Sequence, residues 1–173
     1  MAGSAGCGGV KGNPFESRRH PMDMAAVDLS GECVAATRAA TGHDPAIMLD
    51  AHGSPSFELS IKYAQRVAPY NPLFIEEPCK VGSIDALIAV SQASPVPIAT
   101  GKKLFTIREF DEIIQRRAGA YLQPDITHCY GISASMEISA NAPHQQMLPA
   151  PHNVAARSAA PQPFTLSPPS PLS

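Results

Sequence analysis

The chain has 173 residues, of which 44% are hydrophobic and 16% charged, and its formal net charge is −2. That length suffices for one sizeable core in a soluble protein, and the charge offers no electrostatic footprint for nucleic acid or an anionic membrane. No apolar run reaches the roughly 18 residues a membrane span needs, and MAGSAGCGGVKG lacks the basic-then-apolar order of a secretory signal, so a cytoplasmic location is expected.

The Gly-rich residues 1–12 read as a disordered N-terminus, although GGVKGNPF holds room for the end of a strand. A helix is expected from roughly Met22 to Thr41. AIMLD (46–50) is a strand. The segment after it places Phe57, Ile61, Ala64 and Val67 on one helical face, with Ser54 as its cap and Pro55 in its first turn. PLFIEEP (72–78) is the next strand, and SIDALIAVSQAS turns Ile84, Leu87 and Val90 inward. VPIAT (96–100) follows. Thr106 and Glu109 then form a T-x-x-E capping box for a helix that buries Phe110, Ile113 and Ile114. AYLQPD (120–125), a weaker helix over 132–142 and a final strand in QMLPAPHN (146–153) complete the pattern. Eight of the 18 prolines lie between Pro143 and Ser173, and residues 154–173 read as a disordered Pro-rich tail. The four cysteines, Cys7, Cys33, Cys79 and Cys129, form no CxxC pair, which favours reduced thiols over a disulfide framework or a zinc site.

Alternating strands and helices imply an α/β fold with a parallel sheet covered on both faces. No GxGxxG or Walker A loop is present to favour a nucleotide-binding version. The polar residues favour a (β/α) barrel. Asp50, Glu76, Lys102, Asp125 and His152 stand at the strand ends, at intervals of 26, 26, 23 and 27 residues. A barrel repeat has about this length, since roughly 250 residues make eight units, and the C-terminal strand ends of a barrel ring one pocket.

Two neighbouring carboxylates, Asp50 and Glu76, repel unless a cation joins them, and a hard divalent ion such as Mg²⁺ suits their oxygens. Asp125 beside His152 would fix the imidazole tautomer and make it a general base. His52, two residues past Asp50, could reach the same pocket as a general acid. His128 could touch the site from its margin, whereas His20, His43 and His144 belong to no constellation. A cation opposite an Asp–His base suits removal of the proton α to a carboxylate and loss of a β-hydroxyl as water.

LDAHG, PLFIEEP, PIATGKKLF, LQPDITHCYGI and APHN, in this order and spacing, resemble the mandelate racemase-like branch of the enolase superfamily, and within it the galactonate and related sugar-acid dehydratases. The resemblance covers about residues 43–153, with VKGNPF a weaker match to the second barrel strand. It implies a partial barrel over residues 13–153, corresponding to the enolase C-terminal domain without its capping domain and last barrel elements. It further implies Mg²⁺ as cofactor, a small-molecule sugar acid as substrate and a homo-oligomer as assembly. By position, Asp50 and Glu76 match the first two metal ligands, His52 the dehydratase acid, and Asp125 and His152 the base dyad. The third ligand of the pattern is a glutamate directly after the fifth-strand glycine. That glycine is Gly101, and the next residue is Lys102. Its ammonium has the charge to stand between Asp50 and Glu76, so magnesium binding and dehydration are expected to be impaired.

Overall fold

Six short apolar runs become strands, each parallel to the next. The computed structural model describes residues 8–15, 23–80 and 82–153. Strands β1 (Gly9–Gly12), β2 (Ala46–Asp50), β3 (Phe74–Glu76), β4 (Ile98–Thr100), β5 (Tyr121–Leu122) and β6 (Leu148–Pro149) form one sheet in sequence order. Helices α1 (Met24–Thr41), α2 (Phe57–Val67), α3 (Ile84–Ala93), α4 (Ile107–Gln115) and α5 (Ile132–Asn141) each link one strand to the next. A doubly wound sheet reverses its strand order at a switch point, whereas a barrel adds each strand beside the last. The observed order is that of a partial (β/α) barrel.

The first strand moves one boundary. Gly9–Gly12 pairs in register with Ala46–Leu49, so the barrel segment begins at Gly9 rather than at residue 13. The glycines that suggested fraying allow close pairing instead: a Cβ on Gly9 would lie 2.8 Å from the Ala46 carbonyl oxygen. The proposed Pro-rich tail, His20 and Cys7 lie outside the described residues. Cys33, Cys79 and Cys129 are free thiols, and no described helix is long and apolar enough to cross a membrane.

The helices form where period and caps agree. Thr106 and Glu109 close the expected capping box, with Thr106 N–H donating to Glu109 Oε2 at 2.8 Å. Phe110, Ile113 and Ile114 are buried beneath it. In α3, Leu87 and Val90 are buried and Ile84 is half-buried. Helix α2 is capped by Ser56, which accepts from Leu59 N–H, and not by Ser54, so Pro55 precedes the helix. The inward face of α2 is Ser60, Tyr63, Ala64 and Val67, with Phe57 and Ile61 half-buried. A purely apolar period misses Ser60 because its hydroxyl is satisfied inside, donating to the Pro78 carbonyl at 2.6 Å.

Strand alternation then separates packing from chemistry. Ile47 and Leu49 of β2 are buried, whereas Met48 and Asp50 at the alternate positions are half-buried. At the other end of the strands, the Arg38 guanidinium donates to the carbonyls of Gly42, Pro45, Tyr70 and Asn71. It ties the end of α1 to the segments entering β2 and β3, which fixes the base on which the strand-end residues stand.

Candidate active site

Strand register brings the polar residues together in two pairs. Asp50 and Glu76 are direct cross-strand partners at the ends of β2 and β3. Asp125 and His152 form an isolated parallel bridge beyond β5 and β6, sealed by His152 N–H donating to the Pro124 carbonyl at 3.0 Å. Equal spacing along the chain has become equal height on the sheet.

The Asp125 carboxylate is fully buried and well supplied with donors. Its Oδ1 accepts from the backbone N–H groups of Thr127 (2.9 Å) and His128 (3.2 Å), and its Oδ2 lies 2.7 Å from His152 Nδ1. Burial opposes ionisation, but the bonds from His152, His128 and Thr127 outweigh it and hold the carboxyl below its ordinary range. An ionised carboxylate only accepts, so the His152 proton sits on Nδ1 and the Nε2 lone pair is left to act. Nε2 lies 3.9 Å from Glu76 Oε1, which places it at the centre of the strand-end ring.

The other pair is joined by lysine. Lys102 Nζ lies 2.6 Å from Asp50 Oδ2, 2.7 Å from Glu76 Oε1 and 3.1 Å from His52 Nδ1. An ammonium has three donors, and here it has three acceptors. Because it only donates, His52 Nδ1 must accept and the His52 proton lies on Nε2. His52 reaches the pocket as expected, from a left-handed backbone position (φ 56°) that is fixed by its N–H donating to Asp50 Oδ1 at 2.9 Å.

Three participants carried no sequence assignment. Lys11 Nζ contacts Glu76 Oε2 at 2.5 Å, and Gln123 Nε2 donates to the same oxygen at 2.7 Å. Lys11 stands on a four-residue strand too short to show a period, and Gln123 is one polar residue in an apolar run. Burial would raise the Glu76 carboxyl, but hydrogen bonds from Lys102, Lys11 and Gln123 bring it down to about 2. For Lys102, burial alone would lower the ammonium, and the bonds to Asp50 and Glu76 raise it above its ordinary 10.5.

The third is Glu77, which differs sharply from its neighbour. It is buried at φ 45°, and its Oε1 accepts from Gly101 N–H (2.9 Å) and Lys102 N–H (3.1 Å). Among the described residues its Oε2 has no hydrogen-bond partner, and burial raises this carboxyl despite the bond from Gly101. Glu77 holds the turn that presents Lys102. His128 completes that turn from the other side, its Nδ1 lying 2.9 Å from the Lys102 carbonyl oxygen. Gly101 itself sits at φ 119°, where a Cβ would meet Phe110 at 2.8 Å, so only glycine fits. His43 and His144 are exposed and away from the ring.

The sequence profile of the enolase C-terminal domain-like family matches residues 1–167. The chain belongs to the enolase C-terminal domain-like family. Among curated family relatives it is 34% identical over 127 residues to D-galactonate dehydratase of Ralstonia nicotianae, covering 73% of this chain and 33% of that protein. It is 32% identical over 126 residues to the Klebsiella pneumoniae D-galactonate dehydratase, with the same coverage. The chain thus spans about a third of the length of the curated relatives it matches. A mandelate racemase/muconate lactonizing enzyme-like protein from a Roseovarius species superposes with a TM-score of 0.79 at 31% identity, over 85% of this chain and 38% of that one. L-Talarate dehydratase from a Polaromonas species, solved with Mg and L-glucarate, superposes with a TM-score of 0.74 at 29% identity, over 84% of this chain and 38% of that one.

The cation named with that talarate dehydratase does not fit the residues present here. Among the described residues no group of three or more His, Cys, Asp or Glu side chains is placed to hold a metal ion. The facing oxygens of Asp50 and Glu76 are both bonded to the Lys102 ammonium.

Proposed function

We propose that this chain is a segment of sugar-acid dehydratase type, acting on a small aldonate such as galactonate in the cytoplasm, with its dehydration impaired. The observation that carries the reading is the Asp125–His152 dyad, whose cross-strand pairing and 2.7 Å contact leave Nε2 turned toward the ring. In this reading His152 takes the proton α to the substrate carboxylate, and Asp125 stabilises the resulting imidazolium. His52 delivers its Nε2 proton to the departing β-hydroxyl while its Nδ1 takes a proton from the Lys102 ammonium 3.1 Å away, so the imidazole stays neutral. The product is a 2-keto-3-deoxy acid. A second copy covering the open edges of the sheet would give a homo-oligomer, and nothing in the charge pattern favours nucleic acid or membrane as a partner.

Magnesium enters only as the cofactor of relatives, and no step is assigned to it. A histidine removes the α-proton of a carboxylate only where a cation or donor spreads the developing charge. Lys102 is fully engaged with Asp50, Glu76 and His52, and Lys11 is paired with Glu76. That engagement supports low turnover. It also favours the second reading, a non-catalytic family member that at most binds a sugar acid.

Following 2-keto acid formation from galactonate, with and without Mg²⁺, separates the two. Weak product formation that disappears in His152→Asn supports the dehydratase reading. Product formation unaffected by His152→Asn removes His152 as the base. A flat trace from folded wild-type chain leaves the non-catalytic reading.

A further inference from the structure

The two carboxylates at the ends of β2 and β3 carry two negative charges, and two ammonium groups face them. Lys102 stands between Asp50 and Glu76, while Lys11 closes on the outer oxygen of Glu76. Gln123 takes the remaining approach to that oxygen. Every Glu76 oxygen therefore has a donor, and neither carboxylate is left to gather around a further cation. Ammonium contacts of 2.6–2.7 Å hold Asp50 and Glu76 wider apart than ligands drawn in to the about 2.0–2.1 Å of a magnesium shell.

The lysine is also held from its backbone. Glu77 accepts from the N–H groups of Gly101 and Lys102, and the Lys102 carbonyl meets His128. The Lys102 side chain is only 4% exposed, against 36% for Lys11. Swinging Lys102 out would leave Asp50 Oδ2 and Glu76 Oε1 without their donor and expose an ammonium whose turn is fixed at both ends.

We propose that Lys102 and Lys11 together are the resident cation of this site, two fixed ammonium charges doing the neutralising task of a divalent ion, so that the chain holds its carboxylates together without metal and refuses Mg²⁺. The inference rests on the assignment of Asp50 and Glu76 to metal-ligand positions in the reading above. Its test reads binding and unfolding rather than turnover, so failure of the dehydratase reading and failure of this one are separate results.

The full chain is examined by thermal unfolding with MgCl₂ and with EDTA, and by calorimetric titration with MgCl₂. Wild type shows no change in Tm with either addition and no binding heat. Lys102→Glu, which exchanges the central ammonium for a carboxylate, melts lower without cation and regains about 5 °C or more at a Mg²⁺ concentration about 100 times its Kd. Lys102→Met shows a smaller gain in the same direction and serves where the glutamate prevents folding. Lys11→Met shifts least, because Lys11 contacts one carboxylate and is more exposed. A wild-type Mg²⁺ response equal to that of Lys102→Glu overturns the proposal. So does loss of the free Mn²⁺ resonance signal on adding wild-type chain, a measurement that needs no variant. Absence of any cation response in both folded Lys102 variants overturns it as well.

Discussion

The two halves of the strand-end ring are built by the same device and reach opposite outcomes. Asp125 and His152 are a cross-strand pair, as are Asp50 and Glu76. In the first pair one buried carboxylate meets an imidazole and backbone donors, and the imidazole Nε2 faces the ring. In the second, two carboxylates meet two lysines and an amide, and each carboxylate oxygen has a donor within the protein. Saturation makes a rigid floor, whereas an unspent lone pair makes a reactive group.

The comparison sharpens first on stability. Glu76 is the hub of its half, so Glu76→Gln should be the most damaging change in the ring. It leaves the buried Lys102 charge with one carboxylate partner, Asp50, and turns an amide toward donors, which costs about 3–5 kcal/mol. Urea unfolding measures it, and a loss no larger than that of Asp125→Asn would erase the difference between the halves.

The second effect is pH dependence, on the order of 3 kcal/mol at the acid end. The Glu76 carboxyl is held at about 2 in the folded chain, below its ordinary 4.5. Its contribution is full above 4.5 and is lost as pH falls toward 2. The depressed Asp125 carboxyl acts in the same direction below its ordinary 3.8. Lys102 is raised above 10.5, so its contribution is full below that value and is lost as pH rises beyond it. Both limbs therefore include the lysine-filled half, and the acid–base half adds only to the acid one. In Lys102→Met the alkaline loss should shrink, which stability measured across pH would reveal.

The smallest effect on stability falls in the acid–base half. Asp125→Asn keeps an oxygen for the Thr127 and His128 N–H groups and should cost about 1 kcal/mol. It turns an N–H toward His152 Nδ1, so the imidazole proton moves to Nε2 and the base is lost. Nitrogen chemical shifts of His152 report the tautomer. An unchanged tautomer would show that Asp125 does not orient the ring.

Much of this was legible along the chain. The interval of 26 residues between Asp50 and Glu76 became a register pair, and the 27 between Asp125 and His152 became a bridge. Both follow from a repeat whose strands are parallel and in sequence order. The capping box at Thr106 and Glu109 was visible because it depends on residues three apart. Ser54 and Ser56 flank Pro55, and only the turn geometry makes Ser56 the cap. The strand end for which GGVKGNPF holds room is β1, where pairing with β2 overrides the weak local preference of glycine.

The sequence by itself determined the fold type, the two strand-end pairs and the charge reversal at Lys102, since these depend on period, spacing and residue chemistry. Tertiary structure decided that Lys11 and Gln123 converge on Glu76, and that one glutamate of the doublet faces the ring while Glu77 turns back to hold the Gly101–Lys102 turn. The reason is geometric. Residues 11, 76 and 123 meet only because β1, β3 and β5 lie in one sheet, and Glu77 stands at a positive φ just past the end of β3.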